Sequence, residues 1–180
     1  MSHSASPDVA PAAPDPDRAV LEAALAGRGE FELFACDPAL ADTAAFCAAY
    51  GFALEDSANT IVVVGKSDPP VYAACVVLAT HRLDVNRVVK QRLGTRKASF
   101  ASPEETRILT GMAIGGVTAF GLPDSLPLWV DAAVMARERI VLGGGSRSWK
   151  VIAPPSILLT LPNVEVVEGL AALAPPRAPD

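Results

Sequence analysis

Residues 60–78 read TIVVVGKSDPPVYAACVVL. Thr60 to Val64 and Val71 to Leu78 are β-branched runs, and Gly65 to Pro70 between them is made of turn-forming residues and one lysine. The pattern predicts a β-hairpin, because β-branched side chains fit a pleated surface and Gly, Ser, Asp and Pro interrupt it. Upstream, Asp17 is read as the cap of a helix running to Leu25 and ended by Gly27. Glu30 to Ala35 alternates in strand fashion. Asp37-Pro38 sets a cap before a proline, and Leu40 to Tyr50 follows as a helix stopped by Gly51. Downstream, Asp84 opens a helix whose apolar positions Val85, Val88, Val89 and Leu93 fall on one stripe, which sends Arg87, Lys90 and Arg92 to solvent.

Lys97 to Phe100 is a short predicted strand, and Ser102-Pro103-Glu104-Glu105 is a capping box opening a helix that Gly111 closes. Leu126–Val130, Arg139–Leu142, Lys150–Ala153 and Val164–Val167 read as further strands, with a helical turn over Ser156–Leu161. Interleaved helices and strands with one hairpin predict an α/β fold: a single compact domain with a mixed β-sheet flanked by helices.

The chain has 180 residues, 51% hydrophobic and 19% charged, which suffices for one domain with its own core and is far from a disordered composition. The apolar run 108–123 carries four glycines and is too short to span a bilayer as a helix, and no signal peptide is legible at the amino terminus. Membrane, secreted and coiled-coil classes are set aside on these grounds, and a cytoplasmic location is expected. Cys36, Cys47 and Cys75 are odd in number and lack CxxC spacing, so no disulfide framework is expected, and Cys47 and Cys75, inside apolar runs, read as buried free thiols. Residues 1–17, rich in Ala and Pro, predict a disordered tail; 18–170 form the expected domain, and 171–180 a second tail.

Charge is distributed unevenly. The chain is net −5, yet residues 82–97 hold Arg82, Arg87, Lys90, Arg92, Arg96 and Lys97 against the single acid Asp84. Such a segment gives a local basic field suited to a phosphate backbone, although a charge run also serves simply as a solvated face.

Several catalytic signatures fail. Gly65-Lys66-Ser67 lacks the first glycine of a phosphate loop and is followed by Pro69-Pro70 instead of a helix. Gly143 and Gly145 do not complete a dinucleotide fingerprint, because Ser148 stands where the last glycine belongs. His3 and His81 are the only histidines, so neither a serine triad nor a metal ligand set is legible, and no metal or cofactor is expected.

What remains are three loops: Asp56–Asn59, Gly111–Gly121 and Gly143–Arg147. Consecutive glycines let backbone amides approach a ligand, as in an anion nest or an oxyanion hole, and they also serve tight turns. Phe34, Phe46 and Met112 are candidate pocket-lining side chains.

Ala58-Asn59-Thr60 before a β-branched strand, Arg82-Leu83-Asp84, the Ser102 capping box with Thr110-Gly111, Gly115-Gly116-Val117-Thr118-Ala119-Phe120-Gly121, Val130-Asp131 and Gly143-Gly144-Gly145-Ser146-Arg147 occur in one order. Together, over roughly residues 31–170, this set resembles the YbaK/ProX-type (YbaK/EbsC) aminoacyl-tRNA editing domain. The resemblance implies a mixed, partly rolled sheet flanked by helices and a free-standing deacylase that hydrolyses the ester of mischarged tRNA. Its partners would be the tRNA and an aminoacyl-tRNA synthetase. It implies catalytic roles for Asn59, Gly115, Gly116 and Thr118, and substrate contacts from Val117, Ala119, Phe120, Gly143, Gly144, Gly145 and Ser146. It implies tRNA contacts from Arg82, Arg87, Lys90, Arg92, Arg96, Lys97 and Arg147. Two positions depart from the family pattern: Asn59 stands for a lysine and Ala119 for the proline of a GxxxP loop. An amide cannot supply charge, but it can hydrogen-bond a carbonyl or a water. An aminoacyl ester is already activated, so a positioned water, backbone donors and the substrate's own vicinal hydroxyl form one route to hydrolysis. A non-catalytic aminoacyl-tRNA or small-ligand binding protein of the same fold is the alternative.

Overall fold

The structure is a computed structural model that describes residues 15–175. Residues 1–14 of the first expected tail and 176–180 of the second lie outside those residues. Helix α1 (Pro16–Leu25) starts two residues earlier than Asp17 would place it, because the Asp15 carboxylate accepts from the amides of Asp17 and Arg18. Strand β1 (Glu32–Ala35) follows.

The predicted helix 40–50 is broken in two. Asp37 caps a single 3-10 turn, Pro38–Leu40, and helix α2 (Thr43–Tyr50) begins only after Asp42. The break leaves the Ala41 carbonyl outside any helical ladder, free to accept from a side chain.

The predicted hairpin is present as β2 (Ala58–Gly65) and β3 (Val71–Leu78), paired antiparallel from Ala58–Leu78 to Gly65–Val71. Strand β4 (His81–Leu83) comes next, followed by a π-turn (Val85–Val89) and one turn of α3 (Lys90–Arg92). Asp84 caps this segment through the Arg87 amide, as expected. Strand β5 (Ala98–Phe100) leads to α4 (Pro103–Thr110), whose Ser102/Glu105 capping box is complete. The chain continues through β6 (Leu128–Asp131), α5 (Ala132–Met135), β7 (Ile140–Gly143), β8 (Trp149–Ala153), a 3-10 segment (Pro155–Thr160), β9 (Val164–Val167) and β10 (Ala171–Leu173). Strand β10 lies within the stretch read as a tail and pairs with β4. Neither β4 nor β10 is read as a strand from the sequence.

A five-stranded sheet in the order β5-β2-β3-β6-β9 mixes antiparallel and parallel pairs, and a three-stranded antiparallel sheet, β1-β8-β7, packs beside it. A parallel bridge between Ser57 and Val141 draws β7 to the start of β2, giving the partly rolled form. Between the sheets lies the main core, including Val76, Leu128, Val130, Ile140, Leu142, Val151 and Ala153. A second core, with Val63, Cys75, Val85, Val89 and Trp129, sits under the 85–93 segment. A third, with Phe46, Cys47, Val141 and Ile152, lies under α2. Asp131 is buried, and its carboxylate accepts from the Ala133 and Ala171 amides, so it caps α5 and ties down β10. All three cysteines are buried and free.

Candidate functional site

Where β2, β7, β8 and the break before α2 meet, a cavity of about 190 Å³ opens, lined by Ala41–Thr43, Phe46, Ser57–Thr60, Gly115, Val117, Val141–Gly143 and Lys150. At about 30 Å³ per water this is room for roughly six waters, the scale of a small aminoacyl group and not of a nucleotide. Asn59 is the second residue of β2, so it does not cap the preceding turn. Its Oδ1 accepts from Thr43 Oγ1 at 2.8 Å. That hydrogen bond fixes the side chain across the cavity wall and leaves the amide N–H groups as its donors. Beside it, the buried Thr60 hydroxyl has no hydrogen-bond partner among the described residues. An unpaired buried hydroxyl costs free energy, and a polar ligand seated in the cavity would recover it.

Lys150 is the residue that sequence reasoning passed over. Along β8, Val151 and Ala153 enter the main core while Lys150 and Ile152 turn to the opposite face, under α2. Lys150 is 6% exposed. Its Nζ donates to the Ala41 carbonyl at 2.7 Å, the carbonyl freed by the helix break, and lies 5.2 Å from the centre of the Phe46 ring. None of the ion pairs formed among the described residues involves it. Burial holds its pKa below the ordinary lysine value; Arg147 acts in the same direction, while Cys36, Cys47 and Asp42 oppose it. The only sequence signal was a lysine in a strand whose other positions are apolar, visible once its alternation is known.

The two glycine loops do come together. Gly145 N–H donates to Gly116 O at 2.8 Å, a Cβ on Gly116 would lie 2.6 Å from the Ser146 carbonyl carbon, and one on Gly143 would collide with the Val117 carbonyl. These glycines are needed for close backbone approach. The expected oxyanion donors are corrected accordingly: the Gly116 amide is spent on Ala113 O, and the Gly145 amide on Gly116 O. Of the expected site residues, Asn59, Gly115, Val117 and Gly143 line the cavity. Thr118, Phe120, Gly144 and Gly145 instead border a neighbouring hollow together with Met112. Ala119 and Phe120 are buried core residues, and Ser146 receives the Ser148 amide. Phe46 lines the cavity as expected, whereas Phe34 packs edge-to-face against Phe46, Tyr50 and Phe52. Arg147 braces the mouth, donating from Nε to Pro38 O at 2.9 Å and pairing with Asp42.

The basic segment is split. Lys66, Lys90, Arg96 and Lys97 line one shallow hollow with Asn86. It lies near the far end of β2, where Gly65 pairs with Ala98. Six residues of strand separate Asn59 from Gly65, so the hollow is about 20 Å along the sheet from the cavity. Arg82 and Arg87 are exposed, and Arg87 pairs with Asp84. Arg92 does not face open solvent as expected: it packs 4.8 Å over the Trp129 ring and pairs with Glu165. Its position after the π-turn brings it onto the sheet edge, where an aromatic face holds it.

No helix among the described residues is long and apolar enough to cross a membrane. A proposed trans-editing enzyme for prolyl-tRNA synthetase has a similar crystal structure, with 25% identity and a TM-score of 0.74 over 87% of this chain and 98% of the other. A hypothetical protein, APE2540, is 24% identical with a TM-score of 0.73, over 83% of this chain and 97% of its own. A scaffold protein used for computational epitope grafting is 21% identical with a TM-score of 0.72, over 85% and 96%. The last two likenesses are ones of fold. The family model described as the aminoacyl-tRNA editing domain matches residues 37–159. That span includes β2 with Asn59, both glycine loops and Lys150, and the chain belongs to the aminoacyl-tRNA editing domain family.

Proposed function

We propose that the protein is a trans-acting deacylase that hydrolyses the ester linkage of mischarged tRNA. The observation that carries this reading is the small cavity whose lining includes Asn59, held by Thr43, the buried Thr60 and Lys150. Its volume suits an aminoacyl group, and its polar groups suit an ester carbonyl, an α-amino group and a water. Arg147 at the mouth and the basic hollow along the sheet would hold the acceptor end by its phosphates. The three buried thiols fit a reducing cytoplasm, where such a substrate is made. An aminoacyl-tRNA synthetase that produces the mischarged species is the natural source of substrate.

The reading is tested by incubating the purified protein with a panel of mischarged tRNAs and following release of the amino acid. Turnover of at least one member above the spontaneous rate is the expected result. Binding without turnover across the panel identifies the protein as a non-catalytic aminoacyl-tRNA binder and rejects the deacylase.

The footprint has its own test. Reversing Lys90 and Lys97 together to Glu is expected to weaken tRNA binding and to shallow the dependence of log affinity on log salt by about two, one for each phosphate no longer neutralised. An unaltered slope would mark the segment as a solvated face.

A further inference from the structure

We propose that Lys150 is the proton-transfer group of this cavity: its Nζ takes a proton from the water that attacks the ester carbonyl and returns it to the departing ribose oxygen. The inference rests on the deacylase reading and deepens it. As the water oxygen bonds to the carbonyl carbon, one water proton passes to the Lys150 amine. When the tetrahedral intermediate collapses, the bond from the carbonyl carbon to the ribose oxygen breaks and that oxygen receives the proton. The products are a free amino acid and a tRNA hydroxyl, and the amine is restored.

Three features of the site support this role. First, among the described residues Lys150 and Asp131 are the only charged side chains with less than a tenth of their surface exposed, and the Asp131 carboxylate is committed to two backbone amides. Among the groups that line the cavity, Asp42 is paired with Arg147, and the others are hydroxyls, an amide and apolar side chains. Lys150 is therefore the basic group left to the chemistry. Second, one Nζ proton is held by Ala41 O, which directs the remaining nitrogen valences while keeping the amine at the wall. Third, the surroundings of the amine act on its charge in both directions. Burial disfavours the ammonium, whereas the Ala41 carbonyl and the Phe46 ring face support it when it forms. The other titratable or charged groups acting on it come from each packed element: Cys36 after β1, Asp42 and Cys47 on the α2 side, and Arg147 in the glycine loop.

The test uses a mischarged tRNA that the wild type hydrolyses, with single-turnover rates followed across pH. Lys150→Met keeps the length of the side chain and removes the amine; Lys150→Arg keeps a charge that cannot be given up. Both are expected to lose about a hundredfold or more in rate, together with the rise in rate that the wild type shows with pH below the ordinary lysine range. Methylamine is expected to restore part of the activity of Lys150→Ala in proportion to its free-base form. Near-wild-type rates with an unaltered pH profile in Lys150→Met would give the proton to the substrate's vicinal hydroxyl. Near-wild-type rates in Lys150→Arg would make Lys150 a fixed cation. Either result overturns the proposal.

A second measurement needs no turnover. With its folded pKa below the unfolded value of about 10.4, Lys150 binds fewer protons in the native state, so stability from this site rises with pH across that window. The wild type should gain stability relative to Lys150→Met as pH rises towards 10.4, and a constant difference would overturn the buried amine. If Lys150→Met does not fold, Lys150→Gln takes its place in both experiments. A wild type inactive on every tRNA removes the deacylase reading and this assignment with it. An active wild type with an unaffected Lys150→Met removes the lysine alone.

Discussion

Replacing Asn59 by alanine is expected to slow deacylation about a hundredfold or more while the melting temperature changes little. The Thr43 hydroxyl holds the Asn59 carbonyl oxygen, so the amide is oriented before substrate arrives. Pre-oriented donors act where charge develops, and losing one typically costs about 2.7–4 kcal/mol in the transition state. Single-turnover rates with Asn59→Ala check this, and a rate near wild type would confine Asn59 to binding Thr43. Thr43→Val should show a smaller loss, since the amide would remain but with its orientation relaxed. Asn59→Lys is expected to fail as a gain of function. A second amine would enter a buried cavity already holding Lys150, where burial disfavours its charged form and any ammonium would hinder Lys150 from taking up a proton. Its melting temperature should fall and its activity should not rise.

The second large effect is expected at Gly143. A methyl group there would collide with the Val117 carbonyl, and backbone cannot move aside as a flexible side chain can. Overpacking of this kind costs about 1–3 kcal/mol in stability. The more informative loss is functional. Gly143 and Val117 both belong to the cavity wall, so pushing β7 away from the 115–118 loop shifts the lining against Asn59 and Lys150. A displacement of about 1 Å can cost a hundredfold in rate. Gly143→Ala is therefore expected to fold with a lowered melting temperature and to lose activity out of proportion to that change. Activity that falls only as far as the folded fraction would show that the close approach of the two loops is merely structural.

Much of the molecule was legible because local chemistry decided it. The β-branched runs on either side of Gly65–Pro70 became β2 and β3, and the Ser102 capping box opened α4 where the spacing placed it. The ordered set of loop motifs pointed to the family that the match over residues 37–159 shows. Errors gathered where competing local signals were close in strength. Asp15, Asp17, Asp37 and Asp42 are all plausible caps, and the chain used Asp15 for α1 and split the next helix between a turn capped by Asp37 and one that starts after Asp42.

The sequence by itself determined the alternation of helices and strands, the buried thiols and the two glycine loops, because capping, turn chemistry and β-branching act over a few residues. Tertiary structure alone decided the composition of the cavity. Strand register turned Lys150 under α2 and away from the main core, and the helix break offered it the Ala41 carbonyl. Rolling β7 against the start of β2 then set Lys150 at the same wall as Asn59, which lies 91 residues earlier in the chain. The same folding spent the Gly116 and Gly145 amides on closing the loops and drew Arg92 onto Trp129, and it left the basic hollow at the far end of β2. Burial and electrostatic environment arise from contacts between distant segments, and no local pattern encodes them.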